Sequence, residues 1–167
     1  MDFLENVKLA RDGDANAFAK LYSHVYKDLY YTALCNLNNE HDAADAVSEA
    51  VLDAYKSIGK LKDIEAFKGW MFKILMTKIK RKQASYTNSR RNRVEEIESI
   101  LENSFEELEI IDIMRLLGED ERICISLKIL CGYKSKEISN ITGMKASTVR
   151  SHISRGKKKL KNVYTNS

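Results

Sequence analysis

Proline is absent from this 167-residue sequence, and glycine occurs only seven times. Proline breaks helix interiors and the two residues together punctuate turns, so a chain this poor in both favours an all-helical protein with short polar connections. The three cysteines, Cys35, Cys124 and Cys131, lie in helix-like runs without CxxC or Cys-His spacing. That excludes the usual zinc patterns and a disulfide framework, and it leaves small buried hydrophobes as the better reading. No metal and no cofactor is expected. No apolar run approaches the roughly 20 residues that cross a bilayer, and no signal-peptide pattern opens the sequence. The expectation is a cytoplasmic protein with no direct membrane insertion.

What the sequence has in quantity is charge, and the charge is unevenly distributed. The formal net value is +4, with 28 basic and 24 acidic residues. Residues 1–82 hold 13 basic and 12 acidic side chains, 83–117 hold 4 and 8, and 118–167 hold 11 and 4. A basic tail behind an acidic segment and a balanced front half implies that only part of the molecule sits on nucleic acid by itself. The front half then needs another partner.

The tail carries the clearest motif. In KSKEISNITGMKASTVRSHISRGKKKL, apolar positions Ile138 and Ile141 run into Gly143; after a short polar turn a second helical pattern follows on Val149, Ile153 and Leu160, with Ser147 placed to cap it. This is a helix-turn-helix signature. Arg150, Arg155 and the Lys157–Lys159 run on the second helix suit a major-groove recognition helix flanked by phosphate contacts. The bland alternative is a solvated helix whose lysines complement the helix dipole.

Upstream, residues 3–34 show apolar positions at helical spacing, sufficient for two helices, with Asp14 or Asn16 available to cap the second. Tyr22, Tyr26, Tyr30 and Tyr31 follow the spacing of a packing stripe. DAADAVSEAVLDAYKSI then reads as a helix with alanines and valines inward and Asp42, Asp45, Glu49 and Asp53 in one acidic stripe, which a solvated face would equally explain. Gly59 to Phe67 reads as a loop. After it, KGWMFKILMTKIKRK is a basic helix in which Trp70, Lys73, Thr77 and Lys80 or Arg81 recur every three or four residues. A flat ring beside cations suits an unpaired base, because stacking and backbone neutralisation are met together. A half-buried Trp with snorkelling lysines fits the same pattern. QASYTNSRRNR lacks apolar periodicity and reads as linker, and the acidic stretch that follows it as a tether. Nothing in the chain resembles a catalytic constellation.

In order and spacing, these segments resemble a bacterial RNA polymerase sigma factor of the sigma-70 family, extracytoplasmic-function type. The resemblance covers almost the whole length. It rests on LYSHVYKDLYYTALCNL with HDAADAVSEAVLDAYKSI and AFKGWMFKIL in front. Behind, Glu137-Ile138-Ser139, Gly143, Thr148-Val149, Ser151, Ile153, Arg155-Gly156 and Leu160 fill the places of the family's region-four motif. Departures are Ala44-Asp45 for an acidic pair, Ser48 for Gln, Val51 at an aromatic or aliphatic position, Thr77 for Asn and Gly118 for Pro.

The resemblance implies two small helical domains: a region-two-like bundle at 1–82 and a region-four helix-turn-helix at 106–167, joined by an acidic, polar linker at 83–105. Asp42, Asp45 and Glu49 would meet the polymerase β′ coiled coil. Trp70, Lys73, Thr77, Lys80 and Arg81 would hold the melted −10 strand, and the loop Leu61, Lys62, Asp63, Ile64 and Glu65 would cradle a flipped base. Lys145, Ser147, Thr148, Arg150, Ser151, Arg155, Lys157 and Lys158 would read the −35 element, with Arg150 on a base. Implied partners are core polymerase, including its β flap, promoter DNA and an anti-sigma factor. A stand-alone helix-turn-helix regulator with an N-terminal sensing or dimerisation domain is the competing reading, and a nucleic-acid enzyme with a DNA-binding appendage is a distant third.

Overall fold

A computed structural model describes residues 2–89 and 105–165, and among these the chain is helical throughout. The front unit comprises α1 (Phe3–Arg11), α2 (Ala15–Leu37), α3 (Glu40–Ser57) and α4 (Phe67–Ser89); two 3-10 turns, Ile58–Lys60 and Ile64–Ala66, lie between α3 and α4. The rear unit comprises α5 (Phe105–Met114), α6 (Glu119–Ile129), α7 (Ser135–Thr142) and α8 (Ala146–Thr165).

The boundaries follow from capping chemistry. Asp14 takes the role offered to Asp14 or Asn16: its carboxylate accepts the Ala17 N–H at 3.0 Å and starts α2. α2 ends at Asn38, the one described non-glycine residue with a positive φ, 52°, a conformation asparagine tolerates. Asn39 then accepts the Asp42 N–H at 2.9 Å and opens α3. Ala43, Ala46, Ala50 and Ala54 form a fully buried alanine ridge on α3, which lets α2 and α4 approach closely and pack Leu21, Leu29, Phe72, Leu75 and Ile79 between them.

Three local expectations are corrected. The linker expected from residue 83 begins later, because α4 continues to Ser89. Gln83 is buried and the Tyr86 hydroxyl donates to the Asp42 carboxylate, so tertiary contacts extend the helix where apolar periodicity has stopped. The acidic stretch read as a tether ends in Phe105–Glu109, which the structure places in α5, and its part before Phe105 lies outside the described residues. Ser147 does not cap α8; the helix begins at Ala146, which places Ser147 inside its first turn.

The two units pack against each other, α2 on α6 and α4 on α7. Asn36, 2% exposed, is the polar centre of this junction. Its side-chain NH2 donates to Ser126 Oγ at 3.0 Å and to the Thr32 carbonyl at 2.8 Å, while its backbone carbonyl accepts from Gln83 and Arg122, each at 3.4 Å. The Phe72 and Tyr133 rings also meet edge-to-face at 5.4 Å between the two units.

Within the rear unit, α8 lies close against α6 at Gly156. A Cβ there would stand 2.7 Å from Ile125 Cγ1, and Ile125 is completely buried. Gly156→Ala is therefore expected to destabilise the protein by about 1–3 kcal/mol despite alanine's better helix propensity. Ile125→Ala alone should cost about 2–5 kcal/mol, and less by about 1 kcal/mol once residue 156 is alanine. Denaturant unfolding of the double-mutant cycle measures that coupling, and purely additive costs would disprove the close approach.

Candidate nucleic-acid interface

α8 is divided by its contacts into an inner and an outer side. Val149, Ile153 and Gly156 face the rear-unit core, while Lys145, Ser147, Thr148, Arg150, Ser151, Arg155, Lys157 and Lys158 are all exposed. The structure thus brings the eight predicted reading residues to the open side of one helix and its entry. The turn ahead of it is held by the left-handed Gly143 (φ 78°) and by Ser139 Oγ, which donates to the Met144 carbonyl at 2.6 Å. Ser147, Arg150, Ser151, Ser154 and Arg155 line an open depression on this face. Arg155 leans back toward α6, with its Nε 3.6 Å from Glu121 Oε1 and Nη2 3.0 Å from His152 Nδ1.

On α4, Trp70, Lys73, Thr77 and Lys80 share the stripe that the sequence spacing requires. The Trp70 ring is half-buried, 6.0 Å from Phe67. α7 stands over part of this stripe. Trp70, Lys73, Tyr133, Asn140 and Ile141 contribute to the walls of a cleft of about 510 Å³ between the two units. Farther along, Lys80 Nζ donates to the Thr142 carbonyl at 3.4 Å. In the preceding loop Lys62, Asp63 and Glu65 are exposed, and the Asp63 carboxylate accepts the Glu65 N–H at 3.0 Å. Ile64 is half-buried, and Leu61, 7% exposed, belongs to the core.

Arg81 goes elsewhere: it pairs with Glu49 on α3. Lys78 pairs with Asp53, and Asp45 lies 3.9 Å from Lys82 and 3.5 Å from His41. The acidic stripe is therefore laced to the basic edge of α4. The hydrogen bond from Lys78 is the main reason the Asp53 carboxyl sits below the ordinary carboxylate range. Exposed pairs of this kind add little stability, but they fix where each charge points.

Sequence reasoning missed two features. Glu121 faces the cations of α8 from α6, and a partner on a separate helix has no spacing signature. Ile110, Ile113, Met114, Ile125, Ile129, Leu130 and Leu160 enclose an apolar groove of about 220 Å³, at which Ile129 is 59% exposed. Its apolar residues carry helical spacing in the sequence, but nothing there says that Ile110 and Ile129 stay exposed at one groove.

Among the described residues no cluster of three or more His, Cys, Asp or Glu is placed to hold a metal ion, and no helix is long and apolar enough to cross a membrane. Burial pushes the Cys35 thiol up to about 12 and those of Cys124 and Cys131 up to about 11. In the native protein at pH 8 all three should react slowly with a disulfide reagent, and at once after unfolding in guanidinium. Above the ordinary thiol value near 9, the unfolded chain sheds protons that these native thiols keep. Stability present at lower pH should then fall as pH rises toward 11, by about 1.4 kcal/mol per pH unit per thiol. Denaturant midpoints across that window measure the decline, and a flat profile would contradict it.

The model for sigma-70 region 2 matches residues 21–89 and that for sigma-70 region 4 matches residues 107–160. The chain is 27% identical over 135 residues to the RNA polymerase sigma factor SigV of Bacillus subtilis, covering 79% of this chain and 81% of that protein. It is 25% identical to the ECF RNA polymerase sigma-E factor of Haemophilus influenzae, covering 93% and 92%. The solved structure of CnrH in complex with the cytosolic domain of CnrY superposes with a TM-score of 0.78 at 20% identity, covering 99% of both chains. The sigma factor RpoE of Bartonella quintana, solved with the anti-sigma factor NepR, gives 0.72 at 19% identity, covering 89% and 96%.

Proposed function

The chain belongs to the sigma-70 family of RNA polymerase sigma factors, in its extracytoplasmic-function branch, and we propose that its two helical units divide promoter recognition between them. It is an alternative sigma factor that binds core RNA polymerase and directs transcription initiation. The observation that carries the division is the order of the two regional matches: region 2 falls on α2–α4 and region 4 on α5–α8. A stand-alone regulator with a sensing domain in front is not favoured, because the front half is itself a sigma region.

α8 presents its polar face to the major groove of the −35 element. Arg150 is the residue for a base edge, since its guanidinium can bond bidentately to guanine, and Lys157 and Lys158 neutralise phosphates. The stripe of Trp70, Lys73, Thr77 and Lys80 takes the melted −10 strand: the ring stacks and the lysines cancel backbone charge. Lys62, Asp63 and Glu65 border the flipped base. Asp42, Asp45 and Glu49 meet basic side chains of the polymerase β′ coiled coil, which compete for acids now held by Arg81, Lys82, His41 and Tyr86. The apolar groove of the rear unit suits a nonpolar helix of the β flap.

α7 overlies the Trp70 stripe, so strand capture requires the two units to part. The junction combines hydrogen bonds around Asn36 with apolar burial of the end of α2 against α6, so parting exposes that surface and the contacts made with polymerase and DNA must offset it. The chain performs no covalent chemistry of its own; polymerase supplies the catalysis in the cytoplasm. Regulation by an anti-sigma factor follows the precedent of the Bartonella structure.

Reconstitution with core polymerase tests this reading: run-off transcription should start at specific promoters only when the chain is present. Asp45→Lys should abolish association with core while leaving circular dichroism and Tm unchanged. Full association would return the stripe to an ordinary solvated face. Arg150→Ala should weaken upstream-element binding by about 1–3 kcal/mol on the preferred sequence and much less on others. An equal loss on every sequence would make Arg150 a phosphate contact.

A further inference from the structure

Glu121 is a carboxylate in an unusual position. It occupies the first turn of α6 and is only 7% exposed, yet the cations of α8 converge on it. Lys159 Nζ donates to its Oε2 at 2.8 Å, and Arg155 Nε lies 3.6 Å from its Oε1. The same Oε2 accepts the Gly118 N–H at 3.1 Å, which ties the carboxylate to the start of α6. These bonds, that of Lys159 foremost, hold its carboxyl below the ordinary range, so it is charged wherever the protein works. The neighbouring Asp120 lies 4.0 Å from His152, extending the acidic edge against the same side of α8.

The remaining cations of α8 have no such partner in view of α6. Arg150, Lys157 and Lys158 project on exposed faces, and a phosphate would meet them without first displacing Glu121. The helix therefore carries two classes of positive charge: those already bonded across to α6 and those left for DNA. A cation held by a nearly buried carboxylate gives up a charge-assisted hydrogen bond before it can bond a phosphate. Its release of counterions on binding DNA is correspondingly reduced.

We infer that Glu121 is a positioning residue for promoter reading, which ties Lys159 and Arg155 to α6 and so limits how many cations of α8 reach the DNA backbone. Fewer backbone charges mean weaker binding to arbitrary sequence, while the base contact of Arg150 is untouched. Glu121 thereby raises the ratio of specific to non-specific binding. The inference rests on the assignment of α8 to the −35 element.

The test is the salt dependence of promoter binding by the full chain assembled with core polymerase, comparing Glu121→Gln, Lys159→Met and Lys158→Ala. Glutamine can still accept the Gly118 N–H, so E121Q keeps the cap and removes the charge. It should steepen the slope of log K against log salt by about 1 for each cation released, which is an extra loss of roughly 3.5-fold per cation over a fourfold rise in salt. Binding to unrelated DNA should tighten more than binding to the promoter. K159M should leave the slope unchanged, and K158A should flatten it by about 1. A fold defect alone would not steepen a salt slope. If K159M flattens the slope as K158A does, or if folded E121Q leaves it unchanged, Glu121 does not restrain these cations and the inference is overturned. If E121Q fails to fold, K159M decides the matter alone. If K158A also has no effect, α8 is not on the DNA, and the functional assignment falls with the inference.

Discussion

The architecture depends on burying the C-terminal end of α2 all the way round. Thr32, Ala33, Leu34, Cys35, Asn36 and Leu37 are consecutive and all buried. Consecutive helical residues point in every direction, so one neighbouring face cannot cover them; α3 and α4 cover one side and α6 the other. Two of the six are polar, and inside a core they must find partners. The Asn36 side-chain NH2 reaches Ser126 on α6 and Arg122 donates to the Asn36 backbone carbonyl, while the Asn36 Oδ1 stays buried without a partner; the Thr32 hydroxyl lies 3.5 Å from Cys131 Sγ. The front unit thus completes its own central helix with atoms of the rear unit.

Charge then sorts the surface. Lys78, Arg81 and Lys82 of α4 are drawn to the acids of α3, and Arg155 and Lys159 of α8 to Glu121. These pairings leave Lys73 and Lys80 beside Trp70, and Arg150 with Lys157 and Lys158 on α8, among the cations without a carboxylate partner on the described surface, and these sit on the two proposed DNA-reading faces. Such pairs are weak as sources of stability, yet they decide which positive charges are free to meet phosphate. Arg81 illustrates this. By spacing it belongs with Trp70, and by geometry it belongs with Glu49.

Much of the fold was legible in the residues because its signals are local. Helical spacing of apolar residues marked the helices, Gly143 marked an end and Asp14 or Asn16 a start, and the Val149, Ile153 and Leu160 pattern separated the inner from the outer side of α8. The α4 helix was read too short for an equally physical reason. Gln83 and Tyr86 are held by Asn36 and Asp42, residues about forty positions earlier, and no window of sequence contains both partners. The family resemblance assigns Leu61 to a base-cradling loop; the structure gives it to the core, where it is 7% exposed next to the buried Ile58 turn.

The sequence by itself determined the all-helical class, the order of the two units, the helix-turn-helix and the exposed residues of its recognition helix, since each follows from periodicity and capping within a few turns. The family resemblance came from the same local patterns taken in order. Only the tertiary structure decided that α7 stands over the Trp70 stripe, that Arg81 faces the acids of α3, and that Glu121 restrains two cations of α8. Those outcomes depend on which side chains meet across helices far apart in the chain. Such meetings are set by how whole faces pack, and packing has no period.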